Sequence, residues 1–183
     1  MIDAKELLEL METRQSERKY LDKPVESEKV ERILQAGRLA PSACNGQPWK
    51  FIAVTDSDKL KEVASAASAR TLKMNTFVDQ APLLIVIIRE KSNLSSRAGA
   101  LVKDKDYSLI DIGIATASMA YQAKAEGLGS CIIGWMDEKE MRKVLGIPKS
   151  KRVELILSVG YTDNTLRTKV RKPPEETISY NKY

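Results

Sequence analysis

The feature that most constrains this chain is a long helical pattern over residues 109–126 that is small-sided nearly all the way round. Gly113, Ala115, Thr116, Ala117, Ser118 and Ala120 leave it without a wide polar face. A helix of that kind is central in its domain, or lies in a subunit interface where backbones approach closely. Ser108-x-x-Asp111 resembles a capping box at its start, and Gly127 can terminate it.

The remaining pattern supplies about four strands and five or six helices. Ala4, Leu7, Leu8 and Met11 recur at helical spacing and predict an amphipathic helix over 3–13. Ser27 is a candidate cap for a helix with Val30, Ile33, Leu34 and Gly37 on its buried face, ended by Pro41. Ser57 is a candidate cap for a helix over 57–68, and a short helix is expected over 71–77. Asp137-x-x-Glu140 opens another, ending at Gly146-Ile147-Pro148. Apolar runs predict strands over 49–55, 83–88, 130–134 and 153–161. Residues 91–106 are polar and longer than the usual loop, which hints at function or mobility.

This order is not a regular βαβ alternation, and no repeat or linker divides the chain. A length of 183 residues suits one α+β layered domain. Residues 162–183 form a basic, proline-containing tail with few apolar side chains to hold it on its own core. It is expected to be an arm that crosses to a partner subunit.

Composition removes several chemistries. There is no histidine, which excludes a Ser-His-Asp triad, a Cys-His pair and the common histidine-based metal sites. Cys44 and Cys131 form no CxxC pattern and lack an obvious base, so they read as small hydrophobes rather than nucleophiles. Trp49 and Trp135 read as packing residues. A net charge of +5 permits an anionic ligand without demanding nucleic acid, and aromatics at 5% argue against a base-stacking platform. No signal-peptide pattern or membrane-spanning run is visible, and cytoplasm is the expected location. The chemistry therefore points to a bound cofactor.

Three segments can carry such a group. Arg14, Ser16 and Arg18 alternate, as do Arg167, Lys169 and Arg171, so each set faces one way in an extended chain. Together they suit one phosphate, because guanidinium groups make paired hydrogen bonds to its oxygens. The same spacing also describes a solvated surface. Ser42, Asn45 and Gln47 offer hydroxyl and amide groups between Pro41 and Pro48, suited to a heterocycle edge or a sugar chain, or to a plain turn. Gly127-Leu128-Gly129-Ser130 allows a close backbone approach to a flat ring, or simply caps a helix. No GxGxxG follows a strand, so a dinucleotide fold is not supported.

Taken in order, these segments resemble the nitroreductase family of FMN enzymes across nearly the whole chain. The elements that carry the resemblance are Arg14-Gln15-Ser16-Glu17-Arg18-Lys19-Tyr20, then Ala40-Pro41-Ser42-Ala43-Cys44-Asn45-Gly46-Gln47-Pro48-Trp49. They continue with the small-residue helix and Gly127-Leu128-Gly129-Ser130, and close with Lys169-Val170-Arg171-Lys172-Pro173 followed by Glu175-Glu176. The resemblance implies a central, mostly antiparallel sheet flanked by helices, an intertwined homodimer and two FMN sites at the interface. It implies that Arg14, Ser16, Lys169 and Arg171 hold the phosphate, with Gln15 beside them, and that Arg18 reaches the phosphate or the pyrimidine edge. Pro41, Ser42, Ala43, Asn45 and Gln47 would come from the other subunit, and Gly127, Leu128 and Gly129 would lie by the ring. Lys73 or Asn75 would stand where family members place a flavin-contacting Lys or Asn.

By the same resemblance NADH or NADPH reduces the flavin, and a nitroaromatic, quinone or enone then takes the hydride from N5 in a ping-pong cycle. No protein acid is obligatory, so no side chain is expected to be catalytic in its own right. Two other readings stand beside this one. One is reductive dehalogenation or other flavin chemistry on the same fold. The other is a non-enzymatic anion- or nucleic-acid-binding protein, supported only by the basic tail.

Overall fold

The computed structural model describes residues 3–68, 74–91, 93 and 105–183. In chain order the elements are α1 (Ala4–Thr13), α2 (Ser27–Arg38), β1 (Trp49–Val54), α3 (Ser57–Ala67), β2 (Leu83–Arg89), α4 (Tyr107–Ala125), β3 (Gly129–Ile133), α5 (Glu138–Val144), β4 (Arg152–Gly160) and α6 (Pro174–Thr177). Short 3₁₀ turns cover Ala43–Asn45 and Thr76–Gln80. The four strands form one sheet in the order β1-β2-β4-β3, with every neighbouring pair antiparallel. Most of the loop expected over 91–106 lies outside the described residues, as does the first part of the short helix expected over 71–77.

Strand β2 shows why its sequence is an unbroken apolar run. Alternate side chains point to opposite faces. Leu83, Ile85 and Ile87 join a core with α2 and α4, while Leu84, Val86 and Ile88 join one with α3 and α5. Both faces are buried from Leu83 to Ile88, so none of those six positions favours a polar residue, and the one charged residue, Arg89, comes at the strand's half-buried end.

Helix α4 is central, the first of the two placements its sequence allowed. Ile112, Ala115, Met119, Ala120 and Ala123 are buried against the sheet and α2. Gly37 of α2 meets this face, where a Cβ would lie 2.8 Å from Met119 Cγ, so glycine lets the two helices close. The other face leaves Leu109, Ile110 and Ile114 exposed. Helix α1 buries nothing, and Leu7, Leu8 and Met11 stand in solvent in the single chain. No helix among the described residues is long and apolar enough to cross a membrane.

Several helix starts differ from expectation. Ser27 and Ser57 are the first helical residues rather than caps. Glu26 precedes α2 without a side-chain cap bond, and the Asp56 carboxylate caps α3 by accepting from Lys59 N at 2.9 Å. Helix α4 is capped by Asp106, which accepts from Ser108 N at 3.1 Å, and Asp111 lies buried inside the helix. In each case an acidic residue one or two positions upstream takes the place expected of serine. Gly127 does terminate α4. It sits at φ 77°, with Leu128 N donating to Ala123 O at 2.9 Å and Gly127 N to Lys124 O at 3.0 Å, the paired bonds of a Schellman end.

Glu126, at that same end, ties α4 to α2. It accepts from Arg32 Nε at 2.6 Å and Nη2 at 2.8 Å, and from Gln122 Nε2 at 2.8 Å. The Arg32 bonds hold its carboxyl well down, from an ordinary 4.5 to about 2. A depressed carboxylate stabilises the fold fully above its unfolded value and loses that contribution as pH falls through the folded one. The gap in urea midpoint between the unsubstituted protein and Glu126→Gln should therefore be constant at neutral pH. It should shrink below about 4.5 and close near 2.

Candidate functional site

The segment after α1 is laid along the outer edge of the sheet. Ser16 forms a parallel bridge with Ser130 of β3, and Glu17 N donates to Ser130 O at 2.9 Å. Tyr20 staples the segment to β4: its hydroxyl bonds Ser158 Oγ at 2.8 Å and Glu17 O at 3.0 Å. Burial pushes that phenol well above its ordinary range, so it stays neutral. Glu17 is buried and accepts from Gln15 Nε2 and Asn164 Nδ2, both at 2.7 Å. A Cβ on Gly129 would lie 2.5 Å from Glu17 Cγ and 2.9 Å from Thr162 Cγ2. The glycine thus makes room for the segment that crosses it. With Glu17 turned inward, its neighbour Arg18 is exposed and Ser16 is half-buried.

The tail joins this segment from the far end of the chain. Gln15 Oε1 accepts from Arg167 N at 3.0 Å, and Arg167 Nη2 donates to Ser16 O at 2.6 Å. Lys169 Nζ donates to Met11 O at 2.6 Å, at the C-terminal end of α1. Partial burial, then the neighbouring charges of Arg14 and Arg171, push the Lys169 ammonium below its ordinary value. The two alternating basic segments therefore do converge. Two adjoining hollows lie where they meet, lined from the tail's basic set by Arg167 and by neither Lys169 nor Arg171. One, of about 180 Å³, is lined by Arg14, Gln15, Lys124 and Gly127–Gly129 among others; the other, of about 280 Å³, by Ser16, Arg18, Asn164 and Arg167.

Lys124 and Asn164 were not singled out from sequence. Only the folding of α4 and the tail onto residues 14–18 makes them neighbours, and no local motif announces that.

The proline-bounded loop is elsewhere. Its 3₁₀ turn sits at the start of α4, where Ala43 N donates to the buried Asp111 Oδ1 at 3.1 Å. Gln47 N donates to Ser42 Oγ at 3.0 Å, and Gln47 Nε2 to Asn45 Oδ1 at 2.9 Å. Cys44, Asn45 and Gln47 all hold positive φ. Pro41, Asn45 and Gln47 are exposed, with Ser42 and Ala43 partly covered. From Asp111 to Gly127 is 16 helical rises of 1.5 Å, about 24 Å. Within one chain, then, the loop and the cation cluster lie at opposite ends of α4.

Asn75 adopts a left-handed conformation, and its amide donates to Trp135 O at 3.2 Å and Ala67 O at 3.4 Å. Lys73 lies outside the described residues. Cys131 is buried, and burial pushes its thiol up against the opposing pull of Arg18. Cys44 is exposed, contrary to the expectation of a buried hydrophobe. Trp49 is buried and stacks on Phe51 at 6.2 Å between centroids, whereas Trp135 is 56% exposed and does not pack as expected.

Known proteins share this fold. The profile described as "Nitroreductase family" matches residues 11–161. A protein of Archaeoglobus fulgidus, whose name pairs NADH dehydrogenase with NAD(P)H nitroreductase, is 34% identical over 85% of this chain and 85% of its own. A Bacillus subtilis protein named FMN reductase [NAD(P)H] is 26% identical over 93% of this chain and 71% of its own. The solved structure of an FMN-dependent nitroreductase from Clostridium difficile superposes with a TM-score of 0.75 at 31% identity, covering 96% of this chain and 99% of that one. The match spans the 14–18 segment, the proline-bounded loop, the whole sheet and α4, and the chain belongs to the nitroreductase family.

Proposed function

We propose that this protein is an FMN-dependent oxidoreductase that takes a hydride from NADH or NADPH and delivers it to a small electron acceptor, working as a homodimer. The observation that carries the reading is the meeting of two basic segments, 14–18 and 167–171, beside the glycine-bounded end of α4. The residues present fit the cofactor. Burial first, and then the charges of Arg14 and Arg171, disfavour the Lys169 ammonium, and a phosphate dianion held by these cations would offset the mutual repulsion.

The placement of the loop supports the pairing of two chains. The loop is tied to α4 at Asp111 and Arg14 lies beside Gly127, about 24 Å further along the helix. A single ligand that meets both needs two chains side by side. The exposed apolar faces of α1 and α4 give a second copy something to cover. The tail, exposed along nearly its whole length, then serves as an arm across that copy.

In the assembled site FMN supplies the two-electron chemistry that the side chains lack. Arg14, Ser16, Lys169 and Arg171 hold the phosphate by charge-assisted hydrogen bonds. Arg18 places a fixed positive charge further along the same edge, where it favours developing negative charge. Ser42, Asn45 and Gln47 give hydroxyl and amide groups to the polar parts of the ligand, and the 127–129 backbone admits a close approach.

Arg14→Ala tests the reading. One lost hydrogen bond to a charged group is worth about 1.5–3 kcal/mol, so the FMN Kd should rise roughly 10- to 100-fold, read from quenching of flavin fluorescence. Unsubstituted protein should elute as a dimer, and its bound flavin should be bleached by NADH or NADPH. A colourless monomer, or Arg14→Ala with unchanged affinity, would count against the assignment.

A further inference from the structure

A buried carboxylate lies against the proline-bounded loop. Asp111, near the start of α4, is 3% exposed. Its Oδ1 accepts from Ala43 N at 3.1 Å, while Oδ2 is buried with no hydrogen-bond partner among the described residues. Taking a carboxylate out of water is costly unless its oxygens are bonded. An apolar side chain is the ordinary choice at such a position, as it is at Ala115 one turn further on.

The loop itself is held in a shape that its residues do not favour. Cys44, Asn45 and Gln47 sit at φ 50°, 52° and 44°, the left-handed region where a side chain other than that of glycine is strained. Such a backbone persists only when its surroundings over-determine it. Asn45 N donates to Ser42 O at 3.0 Å, Gly46 N to Ala43 O at 2.9 Å, and Asn93 Nδ2 to Cys44 O at 2.8 Å. Ser42 precedes the 3₁₀ turn without capping it, because its hydroxyl already accepts from Gln47 N. The first amide of the turn, Ala43 N, is left for Asp111. An ionised acceptor holds an amide roughly twice as strongly as a neutral one. A strained turn with an uncapped first amide calls for such a bond, which accounts for a carboxylate where packing alone favours an apolar residue.

We propose that Asp111 is a positioning residue: through Ala43 its carboxylate fixes the 42–47 loop in the shape that presents Ser42, Asn45 and Gln47 to the flavin held by a paired chain. The assignment rests on the FMN-dependent reading above and adds to it how the second chain's half of the site is kept in order. Asp111 touches no ligand itself. On that reading the loop meets the ring and ribityl chain rather than the phosphate. Loss of Asp111 therefore weakens FMN and riboflavin alike, whereas loss of Arg14 acts chiefly on FMN.

The test is fluorescence titration of the flavin-free protein with FMN and, separately, with riboflavin. Asp111→Ala should raise both Kd values about 10-fold or more, as expected for one lost charge-assisted hydrogen bond. Asp111→Asn keeps an acceptor for Ala43 N and should raise both only about 3-fold. Cys44→Gly added to Asp111→Ala should recover about 3-fold for both flavins, since glycine adopts this backbone without strain. A residue that merely packs the helix gains nothing from a glycine in the loop. If Asp111→Ala does not fold, Asp111→Asn, alone and with Cys44→Gly, carries the same comparison. Unchanged Kd values in the Asp111 variants, a loss confined to FMN, or no recovery from Cys44→Gly would overturn the proposal while leaving the FMN reading in place. Failure of the unsubstituted protein to bind FMN would overturn both.

Discussion

Gly129→Ala is expected to lower FMN affinity by at least 100-fold and to cost about 1–3 kcal/mol of stability, the usual penalty for forcing atoms into a filled space. The new Cβ lands 2.5 Å from Glu17 Cγ and 3.0 Å from Glu17 Cβ. Glu17 has little freedom to retreat, because it is buried and holds both Gln15 and Asn164 through its carboxylate. If it moves, the Ser16–Ser130 bridge opens and the 14–18 segment lifts from β3. Gln15 also accepts from Arg167, so the tail loosens with it. The cations proposed to hold the phosphate are thus displaced together by one methyl group that touches none of them. Fluorescence titration with FMN and urea denaturation read the two effects. A Gly129→Ala protein that binds FMN as tightly as the unsubstituted one would show that the segment is not seated by this contact.

The largest loss of stability is expected at Ile85→Ala, about 3–4 kcal/mol, within the range for truncating a fully buried aliphatic side chain. Ile85 is 0% exposed at the middle of β2, between Ala53 of β1 and Leu157 of β4. Its core partners come from α2 and α4 as well as the sheet, so no single element can shift to fill the gap. Ile85→Val should cost only about 0.5–1.5 kcal/mol. For a domain of this size each kilocalorie lowers Tm by roughly 2–4 °C, so calorimetry separates the two variants. Near-equal losses in both would mean that the site collapses around the truncation.

Most of the fold was legible because its signals are local. The continuous apolar run of β2, the helical spacing in α1 and α2, and the glycine after α4 each carry their own physical meaning, and each lies within a few residues of the observed element. Helix starts were less legible. Serine and aspartate both cap helices, and the chain places Glu26, Asp56 and Asp106 just upstream of tempting serines at 27, 57 and 108. The convergence of the two basic segments was anticipated from their alternation. The partners that make it possible were not: Glu17 as a buried anchor, Asn164 beneath it and Lys124 beside it depend on contacts between distant parts of the chain. Trp135 shows the same limit from the other side. Residue type favours burial, but only the tertiary arrangement reveals that it stands 56% exposed in the single chain.

The bonds between residues 15–16 and 165–167 join positions separated by some 150 residues. In the proposed site, the first half of the phosphate cradle leaves the ribosome some 150 residues ahead of the second. On that reading a chain clipped before residue 165 should retain little flavin however well its core has folded, since the partners of Gln15 and Ser16 are gone.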